Sequence, residues 1–261
     1  MTMRDTSNLV GRIKAGETLI GTWFTIPHPM VAETLAQGGF DFLLLDGEHA
    51  PVPPDAIGAL LPATELHGAS VIYRVRANSV DLIRGALDAG VSGVMVPMIE
   101  SPVEARSALN AAKYPPLGKR GIGPWRASNY YENYLGYVAA ANDRTCLILQ
   151  IESAAAVDAI DDIASLDGID VLFVGPADLA ASMGLTVGER HPDLTAAIER
   201  IAAVAAKHGK ALGIDATNFE FFSLFREMGF TFFTYGLDTS YVLDSARAAS
   251  AQLRSLMKAK R

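Results

Sequence analysis

The sequence contains one cysteine, Cys146, so no disulfide can form within the chain. Cys146 stands just before an apolar run and reads as a buried structural thiol. Positive charge is also short, with 22 Lys and Arg against 29 Asp and Glu and a formal net charge of −7. That balance argues against nucleic acid or an anionic membrane as partner, because both demand a basic face. It does not exclude a small anionic substrate, which needs only local positive charge. No apolar run approaches the ~20 residues of a membrane span. The first residues, "MTMRDTSNLVGRIKAGETL", carry charges where a signal peptide needs its apolar core. A soluble, cytoplasmic protein is expected. Low-complexity segments and linkers are missing too, so residues 1–261 are expected to form a single domain. With 50% hydrophobic and 20% charged residues, the chain is globular rather than disordered.

What is present alternates. Strand-like runs occur at 19–26, 40–46, 70–75, 91–97, 146–152, 170–175, 211–215 and 230–236. Their apolar residues are continuous rather than alternating, as in strands buried on both faces. Helix-like stretches lie between them, among them "PMVAETLAQGG", "VDLIRGALDAG", "AAAVDAIDDIASLDG" and "LTAAIERIAAVAAKHG". Most end in Gly, a common helix stop before a returning strand. Eight strands alternating with helices predict an α/β fold of the (β/α)8 TIM-barrel type. The connection from Met98 to Thr145 is unusually long. Its segment "YPPLGKRGIGPWRASNYYENY" reads equally as an ordered working loop and as a surface or subunit contact.

A barrel of this type puts its chemistry where strands end. The strand-end residues are Trp23, Asp46, Glu48, His49, Arg74, Arg76, Gln150, Glu152, Asp178, Asp215, Leu237 and Asp238. Lysine is missing from that set: Lys14, Lys113, Lys119, Lys207, Lys210, Lys258 and Lys260 all lie elsewhere. Imine chemistry needs a lysine in the barrel mouth. No Schiff-base lysine is therefore expected, Lys119 in the long loop being the one weak candidate. Glu152 closes "LILQIE" and Asp178 follows "FVGPA" on the next strand. Two hard oxygen ligands on neighbouring strands suit Mg²⁺ or Mn²⁺; the competing reading makes Asp178 a helix cap. Arg74 ends an apolar strand and needs an anion, either a protein carboxylate or a substrate. His49, in "LLLDGEHAP", is the best placed proton carrier, since imidazole titrates near neutrality. A plain loop histidine is the alternative.

"FDFLLLDGEHAP", "GVMVPMIES", "YPPLGKRGIG", "LILQIES" and "VGPADLAASMG" together resemble the HpcH/HpaI family of metal-dependent, class II pyruvate aldolases. The resemblance runs from about Leu19 to Asp238. It implies reversible cleavage of 4-hydroxy-2-oxo acids to pyruvate and an aldehyde, making the protein a carbon–carbon lyase. By the same resemblance His49 is the base, Arg74 stabilises the developing enolate, and Glu152 and Asp178 hold a divalent metal (Mg²⁺, Mn²⁺ or Co²⁺) with no organic cofactor. It also puts substrate contacts at Gln150 and the Ala177 backbone. An aspartate that makes the histidine more basic falls on Asp88, with Asp46 as the nearby alternative. Apart from the resemblance, Trp23 and Leu237 at strand ends and Arg126 in the long loop are candidates for an acceptor pocket, where a carboxylated aldehyde would need a cation; the alternative is that Arg126 pairs with an acid such as Glu132 or with a neighbouring subunit. "GIGPWRASNYY" departs from the pattern, being shorter between its glycines and arginine than in some members.

Two rival readings share the metal-binding acids. One is a CoA-thioester carbon–carbon lyase on the same barrel; such enzymes usually need more chain than remains after Gly236. The other is a barrel that binds a metal or oxo acid without turnover. The resemblance further implies a homo-oligomer, a hexamer with exchanged terminal helices. The amphipathic tail "SYVLDSARAASAQLRSLM" could serve that exchange or close the barrel.

Overall fold

In the computed structural model, which describes residues 8–258, eight parallel strands close into a barrel in the order β1 to β8. Helix α1 (Leu9–Lys14) precedes β1 (Leu19–Phe24). Then come α2 (Pro29–Gln37), β2 (Phe42–Asp46), α3 (Ile57–Glu65), β3 (Ser70–Arg74), α4 (Val80–Ala89) and β4 (Gly93–Val96). The long connection holds α5 (Pro102–Ala112) and α6 (Tyr134–Arg144), and leads into β5 (Cys146–Ile151). Next are α7 (Ala154–Asp158), α8 (Ile160–Ala164), β6 (Val171–Val174), α9 (Pro176–Ser182) and α10 (Pro192–Lys207). The chain closes with β7 (Ala211–Asp215), α11 (Phe219–Glu227), β8 (Phe232–Leu237) and α12 (Asp238–Lys258).

The continuous apolar runs have a simple cause: each strand feeds two cores. Phe42, Leu44, Ile72, Met95, Ile148, Val171, Phe173 and Phe232 pack together inside the barrel. Leu43, Leu45, Val71, Val94, Leu147, Leu149 and Leu172, the alternate residues, pack with the helix ring. Phe42 and Phe232 stack at 4.2 Å across the interior. Leu9, Val10 and Ile13 of α1 join the interior cluster and plug the end where the strands begin. The Cys146 thiol is fully buried there, and desolvation pushes its pKa well above the ordinary thiol value.

The eight expected strands all form. The stretch read as one helix at 154–168 is two short helices, divided at Ala159. Residues 113–133 join α5 to α6 at the lower end of the barrel, where strands begin, because α5 has already descended from the mouth. Their backbone is anchored there, with the Ala127 amide donating to the Asp88 carbonyl at 3.2 Å. Lys113 is fully buried at this end and donates to the Thr145 and Asn142 carbonyls and to Asp170. Lys14, Lys119, Lys207 and Lys210 also belong to this end, and Lys260 lies outside the described residues.

Candidate active site

At the mouth, where strands end, the apolar interior gives way to a polar tier. Trp23, Arg74, Gln150 and Asp215 come from β1, β3, β5 and β7, the alternate strands that build one layer of a barrel core. Arg74 is its centre and is 8% exposed. Its Nε and Nη2 donate to the two Asp46 oxygens, each at 2.9 Å. Nη1 lies 3.3 Å from Glu48, and the guanidinium stands 4.3 Å from the centroid of the Trp23 ring. Asp46 also accepts the backbone amides of Glu48 and His49, which shapes the turn. Burial opposes ionisation of Asp46, but the Arg74 bonds and charge, with the two amides, outweigh it and hold the carboxyl below its usual range. The turn needs glycine at 47, since a Cβ there would lie 2.2 Å from the Tyr73 hydroxyl.

Glu152 follows β5 and is buried. One oxygen accepts the Met98 amide at 2.7 Å and the other the Gln150 side chain at 3.0 Å. Met98 reaches that bond with a φ of 53°, an unusual conformation for a residue with a side chain. Glycine at 175 leaves room for this carboxylate, since a Cβ there would meet a Glu152 oxygen at 2.7 Å. Asp178 sits exposed in the first turn of α9, whose capping position is Gly175 and carries no side-chain bond, so Asp178 is not the cap. Burial raises the Glu152 pKa, and the charges of Asp178 and Glu48 push the same way. Glu48 is raised by burial too, against the pull of Arg74. Glu48 and Glu152 thus both feel the charge of Asp178, and the Gln150 carbonyl oxygen is buried without a hydrogen-bond partner. Such a donor set fits a small hard divalent cation with substrate oxygens completing its shell. Among the described residues no group of three His, Cys, Asp or Glu forms a cage, so Glu152 and Asp178 would be a two-ligand platform.

His49 projects into the open mouth, its side chain 70% exposed, with Glu48 3.8 Å from Nε2. Neither Asp46 nor Asp88 meets its ring within the chain. Asp46 is committed to Arg74. Asp88 lies at the lower end of α4, a ten-residue helix that spans about 15 Å, and there it bonds Arg120 at 2.5 Å. Arg120 in turn packs on the Tyr114 and Tyr137 rings. Burial raises the Asp88 pKa despite that partner. Arg126 is likewise at the lower end, bonded to Glu65 at 3.1 Å and to the Ala89 carbonyl. It does not join Trp23 and Leu237, which pair at the mouth in the β1–β8 register. Ala177 is exposed in the first turn of α9. Glu48 is in the strand-end set but the sequence assigns it no role; its place next to His49 in "DGEH" is the available signal. Asp238, by contrast, is structural, accepting the Thr25 and Ile26 amides to pin the β1 loop.

Residues 19–245 match the family model for HpcH/HpaI aldolase/citrate lyase. The chain is 35% identical to a hydroxypyruvate/pyruvate aldolase of Roseovarius nubinhibens, covering 96% of this chain and 98% of that one. It is 36% identical to a 4-hydroxy-2-oxo-heptane-1,7-dioate aldolase of Escherichia coli, covering 92% of each. Among solved structures, an HpcH/HpaI aldolase/citrate lyase family protein from Burkholderia cenocepacia superposes with a TM-score of 0.88. That pair is 36% identical over 94% of this chain and 98% of the other.

Proposed function

The chain belongs to the HpcH/HpaI aldolase/citrate lyase family, and on that basis we propose that it is a pyruvate aldolase, a lyase that reversibly cleaves 4-hydroxy-2-oxo acids to pyruvate and an aldehyde. The observation that carries the reading is the buried Arg74, 3.3 Å from Glu48, at the same barrel mouth as Glu152 and Asp178 on the neighbouring β5 and β6 connections. When bound at Glu152 and Asp178, a divalent cation such as Mg²⁺, Mn²⁺ or Co²⁺ supplies Lewis acidity at the oxo-acid oxygens.

The remaining chemistry belongs to the chain's own side chains. A guanidinium has five N–H donors. Two go to Asp46 and one is directed at Glu48, which leaves two for the keto oxygen, where negative charge develops. His49 takes the proton from the 4-hydroxyl as the C3–C4 bond breaks, and a proton passed on directly or through water then reaches C3 of the enolate to complete pyruvate; condensation runs the same transfers in reverse, and the exposure of His49 lets it exchange protons with water. The free Gln150 oxygen accepts from a substrate hydroxyl or water, and the Ala177 amide, in the first turn of a helix, donates to the carboxylate.

Pyruvate methyl protons should therefore exchange with deuterated water when a divalent metal is supplied, without aldehyde and without CoA. Arg74→Ala should slow that exchange by about 10²-fold, the lower range for loss of an oxyanion donor. A barrel that merely binds an oxo acid would leave the methyl protons in place, and proton NMR of the wild type would then discard the aldolase reading.

Assembly as a homo-oligomer, a hexamer by family resemblance, is part of the same proposal. Of the 21 residues of α12 only Asp238 is buried, while Val242, Leu253, Leu256 and Met257 are exposed. An apolar helix face of that size favours a second copy. Action of Asp88 on His49 also requires one, since the two lie at opposite ends of the barrel. Light scattering should give a multiple of the 27.8 kDa chain mass, reduced by Leu253→Asp with Met257→Asp. A monomeric wild type would remove this part of the proposal.

A further inference from the structure

We propose that Asp215 is a positioning residue for this reaction, acting through Trp23 to fix the guanidinium of Arg74. The inference rests on the aldolase reading and extends it to β7 and β8, strands that present no reacting group. Asp46 and Glu48 hold Arg74 by its edges. Edge contacts fix where the guanidinium lies but leave its tilt soft. Its face is set by the Trp23 ring, 4.3 Å away. An indole makes a useful platform only if its own rotation is stopped. Trp23 Nε1 donates to Asp215 Oδ1 at 2.9 Å, and Thr234 Oγ1 donates to the same oxygen at 2.6 Å. Asp215 and Thr234 are register partners on neighbouring strands. The backbone of one side of the barrel thereby orients a cation delivered from the other side. Trp23 and Asp215 are half-buried, where an aromatic–cation contact is stronger than in water.

The measurement is pyruvate methyl exchange with Mn²⁺, read beside Trp23 fluorescence. The chain has two tryptophans, so Trp125→Phe leaves Trp23 as the only indole. Trp125 is exposed and lies against Tyr130, away from the mouth. In that background Asp215→Ala should shift Trp23 emission and slow exchange about tenfold, as a drop in kcat with little change in KM for pyruvate. Asp215→Asn keeps an acceptor oxygen for the indole and should stay within about threefold of the parent. Trp23→Phe keeps a ring but loses its N–H tether, and should slow exchange by a similar factor. Combined with Asp215→Ala it should lose little more, because both changes act on one contact. Unaltered exchange in Asp215→Ala, or losses that multiply in the double variant, would overturn the inference. If Asp215→Ala does not fold, a slow Trp23→Phe beside a near-normal Asp215→Asn still supports it, and the reverse pattern refutes it. Absence of exchange in the parent protein is a separate result: it removes the aldolase reading, and the role of Arg74 with it.

Discussion

Exhaustive chelation is expected to lower cleavage by at least about 10³-fold, the scale of the several kcal/mol that a Lewis-acid cation supplies. Added Mg²⁺, Mn²⁺ or Co²⁺ should restore it. Glu152→Gln should reproduce the loss without chelator, because an amide is a poor ligand for a hard cation. Stability should move differently. Glu152 is buried, and its ionisation is opposed by burial and by the charges of Asp178 and Glu48. A neutral side chain of the same shape still offers an oxygen to the Met98 amide, so the thermal midpoint of the metal-free protein should hold or rise. A loss of activity traced to unfolding would show the opposite pattern. Borohydride with pyruvate should leave no adduct, since no described strand ends in a lysine at the mouth. Full activity after chelation, or a borohydride-trapped pyruvate, would sink the two-ligand metal platform.

The mouth of the barrel was legible because two local rules act together there. Continuous apolar runs mark strands buried on both faces, and polar residues directly after such a run must emerge at the C-terminal end. Those rules bring Trp23, His49, Arg74, Gln150, Glu152 and Asp178 to one end, as observed. The same rules also cover what was misplaced. Residues 113–133 follow a helix that has already descended, so Arg126 belongs at the lower end with Glu65. Its arginine and aromatics drew a functional reading that topology within one chain does not support. Asp88 shows a different limit. Its position came from family resemblance, and within this chain it bonds Arg120 at the far end of the barrel from His49. Packing inside the polar tier was the least legible part. Trp23 reads from sequence as an acceptor-pocket side chain, yet its ring lies against Arg74. Asp215 looks like an ordinary strand-end acid until its bond to the Trp23 indole is seen. Such pairings join residues 192 apart in the chain, and only barrel closure brings them together.

His49→Ala is expected to lower kcat for cleavage of a 4-hydroxy-2-oxo acid by about 10²–10⁴-fold, the span for a general acid–base group. The case rests on placement. His49 is exposed at the mouth, beside Glu48 and one turn from the Asp46–Arg74 pair. A side chain so placed can meet the substrate hydroxyl and bulk water in turn. The pH dependence separates a base from a loop residue. Removing a group that carries the proton should flatten the limb of the kcat profile nearest neutrality, where imidazole ordinarily titrates. Glu48→Gln should leave that limb unflattened, because the base remains in place. Asp88→Asn gives a third pattern. If Asp88 acts only through Arg120 within its own chain, thermal stability falls and the limb stays in place. If it acts on the His49 of another copy, the limb itself moves. A His49→Ala profile with the wild-type shape and near-normal kcat would show that the proton is carried by another group, and the role assigned to "DGEH" would have to be withdrawn.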